Sequence, residues 1–253
     1  MKIKPYFKTT LAKPYQGEHF HPAGTSVIMN TTVSSKTLGD FMIMLPDPVS
    51  LNLNSAQNSI DLCTQLKKEI DSSKEIKIFS SKISEDILKS KIPSEIKLLD
   101  PDVKIYRILD EDKVFEYLQN SMNIIVLLIV SIESFVNLTI PADYKHEHKD
   151  KKGKKVVLNK LEIVKKLSIE DKIEILVKIK SKPNIKQEKF WKTFKEIKSL
   201  RNEIIHYKKK DSKVDEMWSP MIETLFDSNL QTFLQESVNL INYINPDYLD
   251  IEE

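Results

Sequence analysis

The sequence predicts an α+β chain, with a mixed, strand-containing region over residues 1–108 and an all-α bundle over residues 109–253. Two observations lead to this prediction. Before residue 109, short β-favouring runs are separated by Pro, Gly, Asn and Asp, as is typical of strands joined by turns. After it, long segments carry apolar residues at helical spacing between capping residues. The N-terminal region itself indicates no chemistry.

Six short segments of the N-terminal region carry a recognisable pattern. Ile60–Ile70 is predicted to be helical and Ser84–Leu88 a short helical turn. The segments predicted as strands are Thr25–Val33, Phe41–Leu45, Glu75–Phe79 and Val103–Leu109.

The bundle is predicted to begin with one long helix from about Asp110 to Thr139, before Pro141. Its main apolar face repeats at about 100° per residue, and a second apolar face is formed by Met122, Val126, Ile129 and Val130. We expect the bundle to cover the first face and a partner subunit to cover the second. The rest of the bundle is predicted as a loop over 141–155 and helices over Val156–Lys166, Ser168–Lys180, Ile185–Tyr207 and Ser219 to Pro246.

Composition excludes several classes of site. Three of the four glycines lie in the first forty residues, so a glycine-rich phosphate loop or a nucleophile elbow cannot be built beyond residue 39. The single cysteine, Cys63, excludes disulfides and cysteine-based zinc sites. We expect no metal and no cofactor. The longest uninterrupted apolar run, Ile124–Val130, predicts no membrane span, and the N-terminus predicts no signal peptide, so we expect a cytoplasmic protein.

The informative segment is a helix that carries one of the only two arginines among 39 basic residues. With Phe190 at zero degrees, Arg201 falls at about 20°, on the apolar stripe of this helix. Asn202 and His206 are four residues apart, so they share a second face with Trp191 beside them. A guanidinium on an apolar stripe needs a partner, because an unpaired buried charge is costly.

The sequence Arg-Asn-Glu-Ile-Ile-His over 201–206 resembles the motif of HEPN-domain ribonucleases, in which a helical bundle carries Arg, four to six residues, and then His. The resemblance covers about residues 109–253. It implies a metal-independent endoribonuclease that assembles its site at a homodimer interface and serves as a toxin or antiviral effector. An antitoxin or a sensor protein is a further implied partner. The alternative is a non-catalytic HEPN-like module for RNA binding or dimerisation, in which Arg201 makes a structural ion pair.

The residue chemistry agrees with an RNA substrate. RNA carries its own nucleophile, the 2′-hydroxyl group, so the site needs a proton acceptor and a cation rather than a metal-bound water. His206 can transfer protons near neutral pH, and the Arg201 fork can bind phosphate oxygens. Asn202 can hold the imidazole or donate to the phosphate. Glu133 either orients Arg201 or is an ordinary structural acid at the end of the bundle.

Further RNA contacts are predicted from charge and stacking. A basic loop either attracts RNA phosphates or is a solvated surface, and Trp191 either stacks on a base or packs in the core. Tyr207 directly follows His206, whereas one branch of the family carries a modified tyrosine two residues after the histidine. The residues predicted to contact RNA are Lys151, Lys152, Lys154, Lys155, Trp191 and Lys208.

Overall fold

The computed structural model describes residues 2–11, 13–16, 20–72, 76–79, 103–149, 153, 155–206, 214–246 and 248–252. Within these ranges the chain is α+β, with small antiparallel sheets mostly in the N-terminal region and helices elsewhere. The strands are β1 Lys2–Ile3, β2 Lys8–Thr10, β3 Tyr15–Gln16, β4 Phe20–His21, β5 Ser26–Ile28, β6 Asn30–Ser35, β7 Gly39–Met44, β8 Ile76–Phe79, β9 Lys104–Arg107, β10 His146–Lys149, β11 Lys155–Leu158 and β12 Ile251–Glu252. The helices are α1 Pro48–Asp71, α2 Glu111–Thr139, α3 Lys160–Lys166, α4 Ile169–Ile179, a 3₁₀ turn Ile185–Gln187, α5 Lys189–Ile205, α6 Val214–Asp227 and α7 Leu230–Ile244.

The strands form antiparallel pairs. Each of the four segments predicted as strands overlaps at least one observed strand. The longest pair is β6–β7, which runs in register from Asn30 opposite Met44 to Ser35 opposite Gly39. β1 pairs with β12, so the second residue of the chain lies beside residue 252. The predicted helical turn Ser84–Leu88 lies outside the described residues.

Helix α1 begins much earlier than the predicted Ile60. Asp47 accepts the backbone N–H groups of Val49 and Ser50 at 3.3 and 3.0 Å, which caps the helix directly before Pro48. Asp47 is buried and also accepts the hydroxyl of Tyr248 at 3.2 Å. Burial, the charge of Asp47 and this hydrogen bond raise the pKa of Tyr248 far above its ordinary value, so the tyrosine keeps its proton.

Helix α2 confirms the prediction for Asp110 to Thr139, and its two faces differ in burial. On the main face, Ile125, Leu128 and Ile132 are fully buried. On the predicted second face, Ile129 is 1 % exposed and is therefore already covered within this chain, whereas Val130 is 39 % exposed. By length and composition α2 is the one helix of the described residues that could span a membrane, because an 18-residue window has a mean hydropathy of 1.9. Of that window, 44 % is buried. Core helices of soluble proteins pass the same test of length and composition, so the expectation of no membrane span stays a prediction.

The region between α2 and α4 corrects a prediction. Strands β10 and β11 pair antiparallel within the predicted loop and the start of the predicted helix, and Gly153, which lies between them in sequence, has a positive φ of 78°. Helix α3 begins only at Lys160, because the Asn159 side chain accepts the N–H of Glu162 and Glu162 accepts the N–H of Asn159. The predicted capping box of Ser168 and Asp171 is confirmed at the start of α4.

The last predicted helix is divided into α6 and α7. We expected Ser219 and Pro220 to begin it, but Pro220 lies inside α6. The break comes at Asn229, whose side chain accepts the N–H of Thr232 at 3.0 Å and caps α7.

The chain divides into two compact units, residues 61–121 and the rest, so the boundary predicted at residue 108 falls inside the smaller unit. In the smaller unit, buried Cys63 lies 3.6 Å from the hydroxyl of Ser121, and Lys113 pairs with Glu69 at 2.8 Å. In the larger unit, α5 packs on α7 through the rings of Phe190 and Tyr243, whose centroids are 5.1 Å apart.

Candidate active site

The predicted motif lies at the C-terminal end of α5. The buried residues of this helix include Phe190, Phe194 and Ile197, and the core face also includes Thr193 and Leu200. Toward its end the helix leaves the core, so that Arg201 is half-buried and Ile205 is 47 % exposed. The apolar stripe therefore ends near Arg201 instead of surrounding it.

Arg201 and Asn202 are in direct contact. The guanidinium Nη1 donates to Asn202 Oδ1 at 3.1 Å, which uses one of its donors and leaves the remaining donors of the fork available. Among the described residues, no carboxylate forms an ion pair with Arg201. The amide partner is neutral, so no described residue offsets the charge of the guanidinium, and arginine forks suit phosphate ligands.

His206 directly follows the last helical residue and is exposed. Its backbone N–H donates to the carbonyl of Asn202 at 2.9 Å, and its φ and ψ of −106° and 55° end the helix there. The imidazole thus lies exposed at a helix terminus. Among the side chains of the motif, the observed hydrogen bond joins Arg201 to Asn202, whereas His206 is joined to Asn202 through the backbone bond of the last helical turn.

The predicted contact between Glu133 and Arg201 is not found, although both residues are described. Glu133 Oε1 lies 3.8 Å from the Nζ of Lys172 on α4, and the lysine side chain is 2 % exposed. This ion pair favours the interpretation of Glu133 as a structural acid, and its proposed role in orienting Arg201 within one chain has no contact to support it. Within the part of the chain that the structure describes, Glu133 is the carboxylate that pairs with this buried ammonium, and a buried charge without a partner is costly, which gives Glu133 a structural task.

Trp191 is buried with 8 % of its surface exposed, and its ring lies 5.3 Å from that of Phe194. An indole so enclosed has no free face for a base, so its prediction as an RNA contact is corrected in favour of core packing. Lys155 is exposed on β11, opposite Lys149 on β10. Lys151, Lys152, Lys154, Tyr207 and Lys208 lie outside the described residues.

The comparisons with known proteins add nothing to this picture. No family model, curated protein or solved structure matches the chain. The functional interpretation therefore rests on the residues themselves.

Sequence reasoning missed Glu170, which lies at the start of α4. It accepts hydrogen bonds from Lys195 Nζ at 3.0 Å and from Lys198 Nζ through both carboxylate oxygens. Burial alone would raise the pKa of Glu170, but the hydrogen bonds from both lysines lower it below its ordinary value. Its carboxylate is charged at neutral pH. Nothing in the spacing along one helix reveals a partner on another.

In the described part of the chain, no group of three or more His, Cys, Asp or Glu side chains could hold a metal ion. The nearest approach is His146 and His148 on β10, with ring centroids 6.4 Å apart. These two histidines do not lie in a loop, as predicted, but on one face of a strand, because side chains two residues apart point to the same side.

Proposed function

We propose that the chain is an endoribonuclease of HEPN type. The nucleophile is the 2′-hydroxyl group of the RNA itself, and the reaction needs no metal ion. The observation that carries the proposal is the guanidinium of Arg201, which donates to Asn202 at the end of α5, with His206 exposed four residues after Asn202. We further propose a cytoplasmic homodimer that serves as a toxin or an antiviral effector.

The roles follow from the chemistry of RNA cleavage. His206 removes the proton from the 2′-hydroxyl group, or returns one to the 5′-oxygen that leaves, because an imidazole transfers protons near neutral pH. Arg201 binds the non-bridging phosphate oxygens and stabilises the charge that develops on them. Asn202 orients the guanidinium. Glu133 stays outside this set, since it is paired with Lys172.

The second candidate is a non-catalytic helical module for dimerisation or RNA binding. It is favoured by the partly exposed apolar face of α2, where Met122 and Val126 are half-buried and Val130 is 39 % exposed. Such a face can pair two subunits whether or not the motif is catalytic. The two candidates differ in one respect, which is cleavage that depends on His206.

A denaturing gel of RNA incubated with purified protein tests the proposal. Wild type should cut the RNA, whereas His206→Ala should leave it intact. The matched control is Glu203→Ala, which truncates another exposed side chain in the last turn of α5 and should retain activity. Circular dichroism establishes that all three proteins fold. Equal cleavage by wild type and His206→Ala, or no cleavage by any of them, would favour the non-catalytic module.

A further inference from the structure

The face of α5 that carries Asn202 and His206 continues toward the N-terminus of the helix. Counted at about 100° per residue, Lys195, Lys198, Asn202 and His206 fall within about 80° of one another. Lys198 lies one turn before Asn202, and Lys195 lies roughly one turn before Lys198. Asn202 and His206 thus stand at one end of a polar stripe of cationic and amide side chains, and Arg201 lies about 60° to one side of Lys198.

The two lysines of this stripe are held in place from the neighbouring helix. The side chain of Glu170 is 15 % exposed, whereas those of Lys198 and Lys195 are 26 % and 53 % exposed. Like charges three residues apart on a helix repel each other, and the shared carboxylate offsets this repulsion. The lysines are therefore positioned rather than freely mobile.

One carboxylate does not neutralise two ammonium groups. The three side chains together carry one net positive charge, and Arg201 adds another on the adjoining turn. Each lysine has three N–H donors, so the bonds to Glu170 leave donors for further oxygen atoms. A ligand with regularly repeated, negatively charged oxygens would match such a stripe.

We propose that Lys195 and Lys198, held by Glu170, bind the phosphates that neighbour the scissile one, so that single-stranded RNA runs along this face of α5. The inference rests on the proposed function, because it takes the phosphate at Arg201 and His206 as the start of the path. Lysines contact phosphates without reading the bases. Binding along this stripe is therefore independent of sequence.

The test is the affinity of the full chain for a short fluorescent RNA that carries 2′-O-methyl groups. This probe cannot be cleaved through its 2′-hydroxyl groups, so binding is measured separately from catalysis. Lys195→Gln and Lys198→Gln should each weaken binding about threefold to tenfold at low salt, and each should lower the slope of log affinity against log salt by about 0.7. The double variant should lose about tenfold to hundredfold.

The matched control is Lys189→Gln. Lys189 also lies on α5 and also pairs with an acid, Glu236 at 2.7 Å, but it points about 120° to 180° away from the two lysines. Lys189→Gln removes the same charge, and we expect it to change the affinity for the RNA probe less than about twofold. Lys195 is more than half exposed, so Lys195→Gln is expected to fold even if the double variant does not.

Glu170→Gln separates an RNA surface from a purely structural contact between helices. The amide removes a negative charge beside the path of the RNA, so affinity at low salt should rise about threefold. If the lysines were only structural, Glu170→Gln and the lysine variants would lower thermal stability and leave RNA affinity unchanged. That result would overturn the inference.

The two proposals fail in different ways. If the lysine variants bind the probe like wild type while ordinary RNA is still cleaved in a His206-dependent manner, the RNA path is wrong and the ribonuclease stands. If the lysine variants lose binding but wild type cleaves no RNA, the RNA surface stands and the proposed catalysis is wrong.

Discussion

The two arginines of this chain have different environments. Arg107 donates through Nη2 to the carbonyls of Ile70 and Asp71 at 3.0 and 2.8 Å, so it caps the C-terminal end of α1. Arg201 instead bonds to a neutral amide and to no carboxylate among the described residues. Under the proposed function, the donors of Arg201 that make no hydrogen bond to a described residue would take a phosphate, which the planar fork of arginine suits better than lysine does.

The fork of Arg201 gives a prediction at the residue scale. Arg201→Lys keeps the charge but loses the paired donors, so it should lose about 2 to 4 kcal/mol of transition-state stabilisation. The measurement is the single-turnover rate of RNA cleavage, with thermal unfolding as the control for stability. A lysine variant as fast as wild type would mean that a point charge is sufficient or that the site lies elsewhere.

The histidines on β10 give a second prediction. Burial and the nearby charges of His148 and Lys178 lower the pKa of His146, against an opposing effect of Asp171. The unfolded chain therefore takes up a proton at higher pH than the folded chain does. The contribution of His146 to stability is present above the unfolded pKa, about 6.5, and is lost as the pH falls toward the folded value.

Urea unfolding at a series of pH values checks this expectation. The free energy of unfolding of wild type should fall between about pH 7 and pH 5, and His146→Gln should show a smaller fall over that window. The same pH dependence in both proteins would show that His146 does not titrate differently on folding.

Among single residues, the candidate site was only partly predictable. The positions of Arg201, Asn202 and His206 follow from helical spacing, and their connection through Asn202 is a contact between neighbours in sequence. The partners of Glu133 and of Lys198 lie on another helix, α4, so their pairings depend on packing that one helical period does not encode. Whether Trp191 stacks on a base or packs in the core could not be decided from the sequence either, because its burial also depends on packing between helices.

At the scale of elements, capping residues were more reliable than propensity. The Ser168 box marks the start of α4, but Val156 and Val157 lie in a strand although they continue a helical pattern. These branched residues pair with His148 and Glu147 across the hairpin. Helix α6 ends at Asp227, and Asn229 caps the start of α7. We instead expected a helix start at Pro220, because proline at the first position of a helix is the more familiar pattern.

The partly exposed face of α2 gives a prediction at the element scale. If Met122, Val126 and Val130 pair two subunits, Val130→Glu should convert a dimer into a monomer, because a charge in the centre of an apolar contact is not compensated. Sedimentation equilibrium measures the mass. The fold should tolerate the change, since Val130 is 39 % exposed.

The control is Val157→Glu, which introduces the same charge at an apolar residue that is 59 % exposed on β11. It should leave the mass unchanged. A wild type that sediments as a monomer, or a Val130→Glu variant that remains dimeric, would show that this face of α2 does not join the subunits.

At the scale of the whole molecule, the candidate site is carried by helices of the larger unit. Arg201 and Asn202 lie on α5 and His206 directly follows it, so none of the three lies in a strand. Helix α4 forms ion pairs with α2, α5 and the 3₁₀ turn: Lys172 pairs with Glu133, Glu170 with Lys198, and Glu174 with Lys186. The α+β class could be predicted from the sequence, because the patterns of helices and strands are local. The pairing of β1 with β12 could not, because it joins the two ends of the chain.

The central claim is cleavage by the RNA's own 2′-hydroxyl group with the help of Arg201 and His206. The most direct test incubates labelled RNA with wild type in excess EDTA and identifies the ends of the products. We expect cleavage to persist and the products to carry 2′,3′-cyclic phosphate and 5′-hydroxyl ends. Activity that EDTA abolishes and magnesium restores, or products with 5′-phosphate ends, would contradict the mechanism.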